Sequence, residues 1–198
     1  MLRNAVDYVK KAVGLPVDQK ALSLTDPGIS EIFGTIPTSS GVAVNASTIL
    51  RVPAALQAVR LIAETLGSLP CKLYRETETG KEPAKDHGAY RLAHNRANGW
   101  TAAGQLRVDL TTDALLHGAG YGQIVRLGDG RPAEIHRLAP GSVQRRTEDD
   151  GEPYYIVTDT TRRQVRLSYR DVLYVPSFGT LSPVSLGREA IGVTSRGI

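Results

Sequence analysis

The period of the apolar residues changes at one place, the glycine-rich step Gly118-Ala119-Gly120-Tyr121-Gly122, and this change restricts the fold most. Before it the pattern is helical. Pro53 suits a first helical turn, Leu56, Val59, Ile62, Ala63 and Leu66 form one stripe, and Gly67 and Pro70 end it. Leu106, Leu110 and Ala114 give a second helix its buried face, flanked by Leu115 and Leu116, with Thr101 as the expected N-cap. Between the helices, Cys71 to Arg75 alternates as a short half-buried strand, and residues 76–86 read as a charged turn. After the step the period is that of strands. Tyr121–Leu127, the turn Gly128-Asp129-Gly130 and Ala133–Leu138 form a hairpin. Tyr154–Thr158, Val165–Leu167 and Val172–Val175 follow. A last helix is expected over Val184–Val193, with Ser182 as N-cap and Pro183 at its first position. Helices followed by an antiparallel meander predict an α+β fold, not a parallel βαβ sheet. The expected core is Leu56, Val59, Ile62, Leu66, Leu106, Leu110 and Leu115.

The first 48 residues behave differently. Leu2, Val6, Val9 and Val13 fall at helical spacing, and Gly14 and Pro16 end that segment. So short a helix is marginal alone and must dock, on its own domain or on a partner. Residues 15–48 are rich in Gly, Pro, Ser and Thr and have no clear period. The chain therefore divides into residues 1–48, a helix and an extended arm, and residues 49–198, an α+β domain. The arm is expected to be ordered by a neighbouring subunit, because it has little apolar surface to offset its ordering entropy.

Composition narrows the setting. A chain of 198 residues buries enough surface to fold without staples. The single Cys71 excludes an internal disulfide and any multi-cysteine metal site. Lys plus Arg number 24 against 20 acidic residues, a net charge of +4, well short of a dedicated nucleic-acid binder. The longest uncharged stretch, residues 32–50, is too polar to span a bilayer, with ten Gly, Pro, Ser, Thr or Asn among nineteen. Synthesis and assembly in a cytosol, with no membrane partner, are expected.

Catalytic patterns are sparse. The chain has no phosphate-binding loop, zinc-protease helix or nucleophile elbow. The glycine step follows a helix and precedes a strand, the reverse of a dinucleotide loop. Of the histidines His87, His94, His117 and His136, none sits at ligand spacing from a carboxylate or Cys71. No catalytic residue, metal ligand or cofactor is assigned. The alternative is a small metal-dependent nuclease or hydrolase using Asp109 and Asp113, four apart on one helix, or the cluster Glu148-Asp149-Asp150. Cys71 reads as an inert core thiol. Arg145, Arg146, Arg162 and Arg163, with Arg166, flank the acidic turn and are candidate contacts to DNA phosphates; the competing reading is a solvated sheet edge.

Taken in order, several short motifs resemble one family. They are Gly41-Val-Ala-Val-Asn45, Val52-Pro-Ala-Ala-Leu56, Ala58-Val-Arg-Leu-Ile-Ala-Glu-Thr-Leu-Gly-Ser-Leu-Pro70 and Lys72-Leu-Tyr-Arg75. Asp86-His87, Asn98, Leu115-Leu-His-Gly-Ala-Gly-Tyr121, Gly130-Arg131, Leu138-Ala-Pro140, Asp171-Val-Leu-Tyr174, Leu181-Ser-Pro-Val184 and Ala190-Ile191 complete the series. Over residues 41–193 it is similar to the portal proteins of tailed bacteriophages, of the Hong Kong 97 type. It departs at Gly118-Ala119, where the family has Gly-Asn, and at Arg96-Ala97-Asn98, where a Pro-Asn pair is common. The resemblance implies a homo-oligomeric ring, typically a dodecamer, at one vertex of the virion. Double-stranded DNA is packaged and ejected through that ring without sequence preference. The implied partners are the major capsid protein, the terminase large subunit and a head-completion or adaptor protein. The match corresponds to the wing-like part of a portal subunit, so the stem and clip are expected to be missing. Leu2, Val6, Val9 and Val13 are then candidate intersubunit contacts.

Overall fold

The computed structural model describes residues 45–178 and 181–187. The expected arm, with Leu2, Val6, Val9 and Val13, lies outside the described residues. So does the predicted continuation of the last helix to Val193.

The described chain starts with an Asx turn. The Asn45 side-chain oxygen accepts from the amides of Ser47 and Thr48, each at 2.9 Å, and a 3-10 turn follows over Ile49–Arg51. Helix α1 is Pro53–Ser68, with the proline in its first turn. A hairpin of β1 (Tyr74–Thr77) and β2 (Gly80–Pro83) leads to helix α2 (Gly88–His94). Helix α3 is Ala103–His117, and it hands the chain directly to β3 (Ala119–Arg126). Strands β4 (Pro132–Leu138), β5 (Val143–Thr147), β6 (Pro153–Thr158), β7 (Gln164–Ser168) and β8 (Val172–Pro176) follow, then the short helix α4 (Pro183–Leu186).

The helix-to-strand corner forms as the glycines predict. Gly118 caps α3 at φ 91°, a left-handed conformation that glycine adopts without a Cβ penalty. The β3–β4 hairpin also forms, with Tyr121 opposite Leu138 and Ile124 opposite Ile135. The strands are not one continuous meander. They split into two antiparallel sheets, ordered β4-β3-β8 and β5-β6-β7, because β8 returns to pair with β3. Val143, Tyr155 and Val172 pack at the junction of the sheets, with Tyr121, Leu138, Val157, Leu167 and Tyr174 around them. A second apolar cluster, Ala97, Leu106 and Leu110 with Ile135 and Val175, joins α3 to the first sheet. Ser182 caps α4 as predicted: its hydroxyl accepts from the Val184 amide at 3.1 Å. Among the described residues no helix is long and apolar enough to cross a membrane.

The expected core needs correction at α1. Leu106 and Leu110 are buried, but Leu115 is only half-buried. Leu56, Ile62 and Leu66 are each 45% exposed, and Val59 is half-buried. The reason is the crossing of α1 and α3. A Cβ on Gly67 would collide with the Val108 side chain, and a Cβ on Gly104 would stand 3.0 Å from the Gly67 carbonyl. The helices therefore touch through Ala63, Gly67 and Gly104, and the large apolar residues of α1 lie beyond the contact.

Three local expectations also change. Thr101 does not cap α3. The N-cap is Ala102, with no side-chain bond, and the Asn98 side-chain oxygen instead holds the amides of Trp100 and Thr101. The first strand begins at Tyr74, not Cys71, and all but its last residue are exposed. Cys71 is exposed and no core thiol.

Leu110→Ala should lower stability by about 2–3 kcal/mol, the lower part of the range for a buried leucine, because Leu110 lines a half-open apolar groove of about 380 Å³ that can partly collapse. Urea unfolding followed by circular dichroism checks this, and an unchanged midpoint would remove Leu110 from the core.

Candidate nucleic-acid interface

The candidate arginines sit on the second sheet and its turns, and strand alternation sorts them. Arg145 pairs with Tyr155 and Arg146 with Tyr154 across β5 and β6. Successive side chains point to opposite faces. Arg145 therefore shares the inner face with buried Tyr155, and its guanidinium lies 5.4 Å from the Tyr174 ring centroid. Burial raises the Tyr155 hydroxyl above its ordinary range, while the Arg145 hydrogen bond and charge pull the other way. Tyr121 is also raised, chiefly by burial.

Arg146 lies on the outer face with Gln144, Tyr154, Ile156 and Arg166. Its Nη2 donates to the Gln144 side-chain oxygen at 3.2 Å. The Arg166 guanidinium stacks over the Tyr154 ring at 4.2 Å and pairs with Glu148 in the acidic turn. A guanidinium over an aromatic ring can still direct its edge donors at a carboxylate, here that of Glu148.

Arg162 and Arg163 occupy the β6–β7 turn. The Asp159 carboxylate builds it by accepting from the amides of Thr161 and Arg163 and from the Thr161 hydroxyl. These bonds, the hydroxyl first, hold Asp159 below the usual carboxylate range. Arg162 takes φ 64°, which places it at the turn tip. Along β6 from Tyr154 to Thr158 the two basic groups stand about 13 Å apart, at opposite ends of the sheet. The structure thus brings Arg146 and Arg166 together, turns Arg145 inward and sets Arg162 and Arg163 apart.

Four of the five carboxylates of the alternative reading are committed elsewhere, and the fifth, Asp149, is exposed. Asp113 is only 2% exposed, and both its oxygens accept from Arg137, Nε and Nη2, at 2.6 Å each. The pair lifts the Arg137 guanidinium above its ordinary range, through the hydrogen bonds first. Asp109 accepts from the Gln105 amide at 2.8 Å, and Glu148 is paired with Arg166. Asp150 accepts from the Glu152 amide. Among the described residues no three His, Cys, Asp or Glu side chains gather to hold a metal. The His87 ring caps α2 by accepting from the Ala89 amide, and His136 bonds Glu134 at 2.8 Å.

Two positioning arginines escaped the sequence reading. Arg137 is separated from Asp113 by a helix end and a hairpin, so no local spacing signals the pair. Arg107 gathers the ends of two helices: Nη1 donates to the Ala93 carbonyl at 2.7 Å, and Nη2 to those of Gly67 and Leu69 at 2.9 Å each. Its charge sits at the negative poles of α1 and α2. The signal available was an arginine immediately following the buried-face residue Leu106.

The chain belongs to the phage portal protein family, whose model matches residues 53–196. It is 28% identical over 106 residues to Protein BeeE of Escherichia coli strain K12, a match covering 54% of this chain and 67% of that protein. In fold it is similar to a chain in the neck of an empty gene transfer agent particle, with TM-score 0.64 and 23% identity, covering 88% of this chain and 50% of the other. An HK97-family phage portal protein from Corynebacterium diphtheriae has the same fold, with TM-score 0.55 and 14% identity over 79% of this chain and 48% of its own. The chain spans about half the length of these solved relatives.

Proposed function

We propose that this chain supplies the wing-like part of a portal ring subunit at the virion vertex, through which double-stranded DNA enters and leaves the capsid. The observation that carries the reading is the portal-family match over residues 53–196. Necks of similar gene transfer agent particles were computed with C6 and with C12 symmetry, which supports a closed ring. In this reading the major capsid protein surrounds the ring, the terminase large subunit docks during packaging, and a head-completion protein docks afterwards. No catalytic step is assigned to the chain. Native mass spectrometry of the full-length protein tests the reading. A closed ring of about twelve subunits is expected from the family resemblance. A stable monomer at all concentrations would reject it.

DNA contact by this region is to phosphate alone, because a channel that passes a whole genome cannot read bases. The outer-face residues Arg146 and Arg166, with Arg162 and Arg163 at the turn, are the proposed contacts. Binding of any duplex should weaken steeply with salt. Arg146→Ala should lower affinity and reduce the slope of log K against log salt by about one. Arg145→Ala should reduce the slope less, since that side chain, although exposed, is directed toward Tyr174 on the inner face. A salt-insensitive, sequence-selective footprint would contradict the assignment. The segment carrying Leu2, Val6, Val9 and Val13 is proposed as an intersubunit arm.

A further inference from the structure

Helix α1 carries more apolar surface than the described residues cover. Ala55, Val59, Ile62, Leu66 and, at the helix C-cap, Leu69 are spaced 4-3-4-3, the repeat of a helix-pairing seam. Ala55 and Val59 are half-buried, while Ile62, Leu66 and Leu69 are 45–54% exposed. The seam stands about 100° around the helix from the edge, Ala63 and Gly67, that meets α3. The far side carries Gln57, Arg60, Glu64 and Ser68, with Arg60 and Glu64 paired at 2.6 Å, and a single exposed leucine, Leu61. Burial thus stops short of the apolar stripe, and the stripe runs about 20 Å along the surface.

The same chain carries a second seam of matching repeat. Leu2, Val6, Val9 and Val13 are spaced 4-3-4, with charges on the rest of the wheel. Two such stripes pair by interlocking their side chains, and each needs a partner of similar length. The described fold begins at Asn45, whose carbonyl accepts from the Ile49 amide beside the N-terminus of α1. Residues 14–44 connect Val13 to that point and can extend to about 100 Å, enough to reach an adjacent copy.

We infer that the α1 seam is the seat of the Leu2–Val13 segment of a neighbouring copy. The inference rests on the ring reading and names the surface that receives the arm. Each copy gives one segment and receives one, so the contact closes around a ring and every seam is covered once.

Cysteine cross-linking of the full-length protein tests this. Cys71 is the only cysteine of these 198 residues and is exposed, so Cys71→Ser, with any cysteine outside them replaced as well, gives a clean background. Into it go Val9→Cys and Ile62→Cys, mid-seam positions that meet in either orientation of the two helices. After oxidation, a non-reducing gel should show a ladder of covalent oligomers. The control pair Val9→Cys with Gln57→Cys, on the polar side of α1, should give none. A link confined to single chains, or thiols that stay free in an intact ring, would overturn the seat while leaving the ring reading standing. A monomer by native mass would reject the ring reading and the intersubunit seat together. A second variant, Ile62→Asp with Leu66→Asp, should fold with unchanged circular dichroism, because both side chains are exposed. It should lose hydrogen-exchange protection of residues 2–13 in the assembled protein. Protection equal to wild type would also overturn the seat.

Discussion

Arg137→Met should lower stability by about 3–5 kcal/mol, although the arginine is half-exposed and the substitution keeps its aliphatic stem. The cost arises at its partner. Asp113 is 2% exposed, and both its oxygens are held by Arg137. Methionine offers no donor, so the variant leaves a buried carboxylate with neither charge nor hydrogen bond to offset its lost hydration. The reciprocal change, Asp113→Leu, should cost less, because the freed guanidinium can swing into water. The double variant Asp113→Leu with Arg137→Met should recover most of the loss, since a buried ion pair often gives way to apolar residues at little cost. Guanidinium unfolding of the four proteins measures the cycle. Equal losses in the two single variants would show that the buried carboxylate does not govern the site.

Gly120→Val should be the most disruptive substitution in the first sheet, costing about 3 kcal/mol or more. Strand β3 passes so close to α3 that a Cβ at position 120 would collide with the Leu110 main-chain carbonyl. A side chain can turn aside, but a helix carbonyl already bonded within its helix cannot. The strand must then lift off α3 and weaken the pairing of Gly120 with Val175 on β8. Gly128→Val is the control, because a Cβ there meets nothing within 4 Å. The Gly120 variant should melt at a clearly lower temperature and the Gly128 variant close to wild type. A Gly120 variant as stable as wild type would mean that the helix and the sheet are not in main-chain contact.

Much of this fold was legible in the chain because the signals are local. The change of period at Gly118 located the helix-to-strand corner, the Gly128-Asp129-Gly130 turn located the β3–β4 hairpin, and Ser182-Pro183 located the start of α4. Each depends on residues within a few positions of one another, so each appears in sequence order. The ordered motifs from Gly41 to Ile191 carried the family for the same reason. Other features depend on distances between elements. The amphipathic stripe of α1 predicted a buried face, but packing at Gly67 and Gly104 turned that face outward. Asp113 and Asp109 shared a helix face in the sequence, and only the arrival of β4 assigned Asp113 to Arg137. Among the four candidate arginines, the register of β5 against β6 set Arg145 inward beside Tyr155 and Arg146 outward. The sequence by itself determined the type of the two long helices and of β3, β4, β6, β7 and β8, the glycine corner and family, while β2, α2 and β5 were not read from it. Tertiary structure alone decided which apolar stripe is covered, which charges are paired and which arginines share a surface, because those depend on contacts between residues tens of positions apart.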